Sequence, residues 1–171
     1  MNTKKLTMLS LYAALSLAIY AAESALPPLI PVPGMKLGLA NIITLIVLRH
    51  ASLKDTFLVL LTRILLSALL FGQFISLAYS LAGGLASMLA MALIMKLLAK
   101  KYTFLTGAVG GLTHNLGQLL VALALTATPG VLAYLPFLIL SGILTGLFTG
   151  FAAYFADRFL SSHFSGDDSS F

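Results

Sequence analysis

Arg63, Glu23, His114, Asn115 and Gln118 stand inside long apolar runs, where an ionisable or amide side chain is costly and has to be matched by something. An arginine at mid-bilayer costs about 2.5–3.5 kcal/mol on insertion scales, so Arg63 is expected to face a protein interior and meet a partner. Glu23 is the only carboxylate placed in an apolar run that can reach it. Two readings stand: a Glu23–Arg63 ion pair, or an arginine waiting for an anionic group of a ligand. His114 and Gln118 are four apart and share a helical face, with Asn115 about 100° round from His114. A lone histidine here reads as a packing residue; three polar side chains within five positions read as a site as well. Gly107, Gly110, Gly111 and Gly117 in the same run are expected to thin the helix and leave room beside the patch.

A second cation and a further amide, Lys36 and Asn41, lie in PPLIPVPGMKLGLANII, residues 27–43. Pro27, Pro28, Pro31, Pro33 and Gly34 forbid a continuous helix here, because proline removes a backbone donor and clashes with the preceding turn. A stiff apolar segment carrying a charge reads either as a lid over a site or as a plain connection. Tyr134 adds a flat apolar surface later in the chain.

These residues sit in 171 residues that are 60% hydrophobic and 9% charged, with a mean hydropathy of +1.04. Soluble domains carry about a quarter charged residues, so the composition is that of an integral membrane protein. Six apolar segments position the polar groups: Leu6–Leu26, Leu37–Arg49, Lys54–Phe71, Ile75–Ala99, Thr103–Thr126 and Val131–Leu160. The expected fold class is an all-α membrane protein, a bundle of six transmembrane helices over residues 1–160, with a polar tail over 161–171. The second segment is short, so the proline stretch before it is expected to dip to membrane depth. The first run follows Lys4 and Lys5 but is too long for a signal-peptide core and has no clean cleavage site. Lys4, Lys5, Arg49, Lys54, Lys96, Lys100, Lys101 and Arg158 fall at one end of the segments, which predicts cytoplasmic N- and C-termini.

Small residues recur every four positions in the first segment, at Ser10, Ala14, Ala18 and Ala22. Such a stripe lets another helix approach closely in lipid. Its partner is either a separate membrane subunit or Gly142, Gly146 and Gly150 of the sixth segment, which repeat at the same spacing.

Several function classes find no residues. The chain has no P-loop, no nucleophile–base pair and no histidine or carboxylate pair at metal spacing; His50, His114 and His163 lie far apart. It has no cysteine, and its adjacent aspartates, Asp167 and Asp168, lie in the polar tail, so no acidic magnesium motif for diphosphate chemistry stands in a helix. The expectation is a non-enzyme without cofactor or metal. The basic residues are scattered over helix ends and form no nucleic-acid surface.

PVPGMKLGLANIITL (31–45), DTFLVLLTRILLSALLFG (55–72), SLAGGLASMLAM (80–91) and GAVGGLTHNLGQLLVA (107–122) occur in an order that resembles the substrate-binding S components of energy-coupling factor (ECF) transporters. More narrowly, the chain resembles the Gx transporter family, whose older label is heptaprenyl diphosphate synthase component I. The resemblance implies a membrane subunit in a bacterial plasma membrane that captures a vitamin-like or isoprenoid- or quinone-related small molecule. It also implies docking through Ala14, Ala18 and Ala22 onto a transmembrane coupling subunit driven by two ATPase subunits, with the loop after the first helix closing over the ligand. The site expected on this reading comprises Lys36 and Arg63 for an anionic group, Asn41, His114, Asn115 and Gln118 for hydrogen bonds, and Tyr134 for apolar contact. It would be enclosed by the first loop and helices one, three, five and six. A non-catalytic partner of a prenyl-diphosphate synthase, or a scaffold in quinone- or flavin-linked electron transfer, is the alternative.

Overall fold

The computed structural model describes residues 3–26, 36–72, 74–98 and 101–164. Among them are six α-helices: α1 (Thr3–Ser24), α2 (Asn41–His50), α3 (Leu53–Phe71), α4 (Phe74–Leu98), α5 (Thr103–Thr126) and α6 (Leu135–Phe164). A 3-10 turn, Pro129–Tyr134, leads into α6. The segments were legible to within a few residues except at two places. Leu37–Ala40 is not helical, so α2 is only ten residues long. The last helix runs to Phe164, four residues beyond the expected boundary. The proline-rich stretch 27–35 and residues 165–171 lie outside the described residues.

The chain is a membrane protein. α1, α4, α5 and the Pro129–Phe159 stretch are long and apolar enough to cross a bilayer. α3 has the length, at 19 residues, but carries Lys54, Asp55 and Arg63. α2 spans about 15 Å, half a hydrocarbon layer, and is buried nearly all round: Asn41, Ile43, Thr44, Leu45, Ile46, Val47 and Leu48 are shielded by the longer helices. A helix apolar on every side belongs in the middle of a bundle, and α2 forms the core together with Val59, Leu60 and Ile64 of α3 and Met88 and Met91 of α4.

Side-chain ties at the basic end fix the register of the helices. Lys5 Nζ lies 2.9 Å from Asp55, which also closes a capping box with Ser52 at the start of α3. Arg49 and His50, in the last turn of α2 where cations suit the helix dipole, both reach Asp157 of α6, His50 Nε2 at 2.6 Å. Arg49 also donates to Thr103 Oγ1 at the start of α5, at 2.8 Å. The opposite end, where α1 finishes and α2 begins, therefore holds the polar residues named above.

The glycines of α5 do not leave room beside that helix, contrary to the sequence expectation. Gly107 and Gly111 lie directly against Gly142, Gly146 and Gly150, and a Cβ on either would collide with backbone of α6. Gly117 faces the α4 backbone at Ala82 and Gly83 in the same way, while Gly110 meets the Met91 and Ser87 side chains of that helix. Small residues on two faces draw both neighbours to backbone contact, which in lipid is a main source of helix association. The sixth-helix glycines are thereby occupied. The stripe Ser10, Ala14, Ala18 and Ala22 is exposed at every position, while Leu9, Ala13, Ser16, Tyr20 and Glu23 form the buried face of α1. Packing of the stripe on α6 is thus overturned.

Candidate ligand-binding site

Glu23, in the last turn of α1, accepts hydrogen bonds from the Gly38 amide at 2.8 Å and the Leu39 amide at 3.1 Å. These are donors that the turn into α2 would otherwise leave unmade, and a carboxylate is a strong acceptor for them. The carboxylate is consequently not at contact with Arg63: among the described residues no Glu23–Arg63 salt bridge exists. The ion-pair reading is corrected on that point.

Arg63 is 3% exposed, and its Nε has no hydrogen-bond partner. Its guanidinium carbon lies 5.8 Å from the centre of the Tyr20 ring, and Lys36 Nζ lies 3.6 Å from the same ring. Tyr20, 2% exposed, is held by a bond between its hydroxyl and Ser76 Oγ at 3.1 Å. Lys36 Nζ also donates to Ser24 Oγ. Two cations therefore share the Tyr20 ring, and cation–π contact offsets only part of their desolvation.

From α5, Gln118 reaches both ways. Its Oε1 accepts from the Lys36 amide at 3.3 Å and its amide nitrogen lies 2.9 Å from His114 Nε2. That contact assigns the His114 proton to Nδ1, which faces Gly83 of α4 without a well-formed hydrogen bond. The imidazole is wedged between two glycines. A Cβ on Gly38 would stand 2.6 Å from His114 Cδ2, and a Cβ on Gly83 would stand 2.8 Å from Nδ1. Gly38 also has φ +83°, a left-handed conformation that few other residues adopt. The chain thus enters α2 under three restraints: the Glu23 carboxylate, the Gln118 carbonyl and the His114 ring.

These groups enclose a cavity of about 10 Å³, room on the order of one water. Arg63, Lys36, His114 and Gln118, all expected from the sequence, line it; among the described residues Tyr20, Glu23, Gly38, Ala40 and Ser80 line it too. Ser80 belongs to α4, so α4 takes the place expected of α6. Asn41 is buried below, next to His114, with neither end of its amide hydrogen-bonded. Two expected residues lie elsewhere. Asn115 faces α6, donating to the Leu138 carbonyl at 2.9 Å and to Ser141 Oγ at 3.1 Å. Tyr134 packs with Tyr79, Leu119 and Leu138 in a separate apolar cluster. Tyr20 and Gly38 went unread because their roles depend on partners that only folding brings up: Ser76 of α4 for the Tyr20 hydroxyl, and the His114 ring of α5 against Gly38.

The model of the family described as heptaprenyl diphosphate synthase component I matches residues 12–156, which takes in every wall residue of this cavity. The chain belongs to that family. No curated protein and no solved structure matches the chain. The family description names a synthase component; the residues at the site supply no group of three or more histidine, cysteine or carboxylate side chains among those described. What they supply is cationic charge, an aromatic ring and unfilled hydrogen-bonding capacity.

Proposed function

We propose that this protein is the substrate-binding membrane subunit of an energy-coupling factor transporter, similar to an S component, and that it takes up a small anionic molecule of the vitamin-like or isoprenoid- and quinone-related kind. It does no chemistry itself. The observation that carries the reading is a buried arginine with an unpartnered Nε lining a polar cavity, in a bundle whose first helix leaves its small-residue face uncovered. A membrane protein bears the cost of such an arginine where a substrate will meet it. In this reading the Lys36–Ala40 segment, held by the Gln118 and Glu23 contacts, is the inner edge of a lid that closes over the ligand. The site end faces outward, because the basic end is cytoplasmic by the distribution of lysine and arginine. A coupling subunit then docks on Ser10, Ala14, Ala18 and Ala22, with two ATPase subunits behind it.

The test is co-purification. Ala14→Leu or Ala18→Leu adds bulk on an exposed face, so the fold is expected to be untouched. Association with the coupling subunit is expected to weaken by about 1–3 kcal/mol, a factor of roughly 5 to 150. A complex of unchanged stability in both variants would refute the docking face.

The family description favours a second reading, a non-catalytic membrane partner of a prenyl-diphosphate synthase. There the cytoplasmic cations would hold the enzyme or steer its substrate. Neutralising Lys96, Lys100 and Lys101 would then lower synthase association and leave solute uptake alone.

A further inference from the structure

The cavity contains two cationic side chains, Lys36 and Arg63, and one carboxylate, Glu23. The adjoining stretch 27–35 has no ionisable side chain in its sequence, so it brings no further charge. With His114 as a neutral imidazole, the site carries one positive charge in excess. Each Glu23 oxygen already accepts from a backbone amide, and the buried Arg63 Nε has no hydrogen-bond partner. From this we infer that the ligand carries a single negative charge, a lone carboxylate or its equivalent, received by Arg63. The inference rests on the reading of this cavity as a substrate site and goes further by fixing the ligand's charge.

The physical reason is electroneutrality in a low-dielectric interior. One negative charge brings the assembly to zero, and zero is the state that apolar surroundings penalise least. A neutral ligand leaves the arginine uncompensated. A dicarboxylate overshoots by one charge, and a diphosphate overshoots further. Arg63 suits a carboxylate in geometry as well, since a guanidinium presents its donors in a planar fork. Lys36 is the more committed cation: Ser24 Oγ and the Tyr20 ring already engage it.

The experiment measures thermal unfolding of the full chain in detergent by tyrosine emission, which is clean because the chain has six tyrosines and no tryptophan. Acetate, acetamide, malonate and diphosphate are the probes, with ionic strength held by sulfate because chloride is itself a monoanion. Acetate is expected to raise the midpoint by about 2–4 °C near saturation, and acetamide, malonate and diphosphate are expected to leave it within error. Arg63→Met is expected to abolish the acetate response. Glu23→Gln adds a second uncompensated charge and is expected to turn the preference toward malonate. Equal stabilisation by acetate and acetamide overturns the inference, as does a larger response to malonate or diphosphate in the unmodified protein. Both comparisons use the unmodified chain, so they stand even if Arg63→Met does not fold. Association with a coupling subunit is read separately. A chain that couples but prefers dianions sinks this inference alone, and one that prefers acetate but never couples sinks the transport reading alone.

Discussion

Replacing Glu23 with alanine is expected to cost about 3–5 kcal/mol of folding stability, the scale for removing one member of a buried charged network. The substitution leaves the Gly38 and Leu39 amides without their acceptor and takes away the negative charge beside Arg63 and Lys36. The entry to α2 then loses the contact that holds it against α1. Glu23→Gln keeps a carbonyl oxygen for one of the two amides and is expected to fall between alanine and the native residue. The double change Glu23→Gln with Arg63→Met removes one charge of each sign. It is expected to be less damaging than the two single changes added together, with a coupling of about 0.5–3 kcal/mol. Chemical or thermal unfolding in detergent measures all four proteins. Additive losses would mean that Glu23 serves the backbone amides alone and does nothing for Arg63.

The other large effect is expected at Gly111. A Cβ there runs into the Gly142 carbonyl and would lie 2.7 Å from Gly146 Cα, and neither can move without shifting α6 as a whole. Gly111→Val is expected to cost about 3 kcal/mol or more, because overpacking against backbone finds no rotamer to relax into. Gly130→Ala is the control. Its Cβ would meet only Thr128 Cγ2, at 3.6 Å, an ordinary contact, and its stability is expected to change by less than about 0.5 kcal/mol. Unfolding midpoints of the two variants side by side check the claim. Similar midpoints would show that the α5–α6 seam tolerates bulk.

Much of this architecture was legible in the residues. Apolar length placed α5 over Thr103–Thr126 without error and the other long helices to within four residues. The spacing of His114 and Gln118 put them on one face, and they do meet. Arg63, Lys36, His114 and Gln118 were picked by the cost of polar groups among apolar ones, and all four line one cavity. What the sequence hid was directional. Asn115 is one residue from His114, and that single step of about 100° turns it to α6, where it ties two helices together. Tyr134 looked like a site aromatic only because aromatic side chains suit both pockets and cores, and burial among Tyr79, Leu119 and Leu138 decides for the core. The glycines of α5 signalled close approach, but composition does not say by what; two neighbouring helices filled the space. Glu23 was recognised as the natural partner of Arg63, yet backbone amides near it in space compete for its oxygens, and nothing in a linear chain announces them.

The most direct measurement is native mass spectrometry of the gently purified chain beside its Arg63→Met variant. If the cavity lined by Arg63 takes up the proposed substrate, a small molecule is retained in the first and absent from the second. The same retained mass in both proteins, at the same occupancy, would contradict the account, because the ligand would then be held without the buried guanidinium whose Nε has no partner.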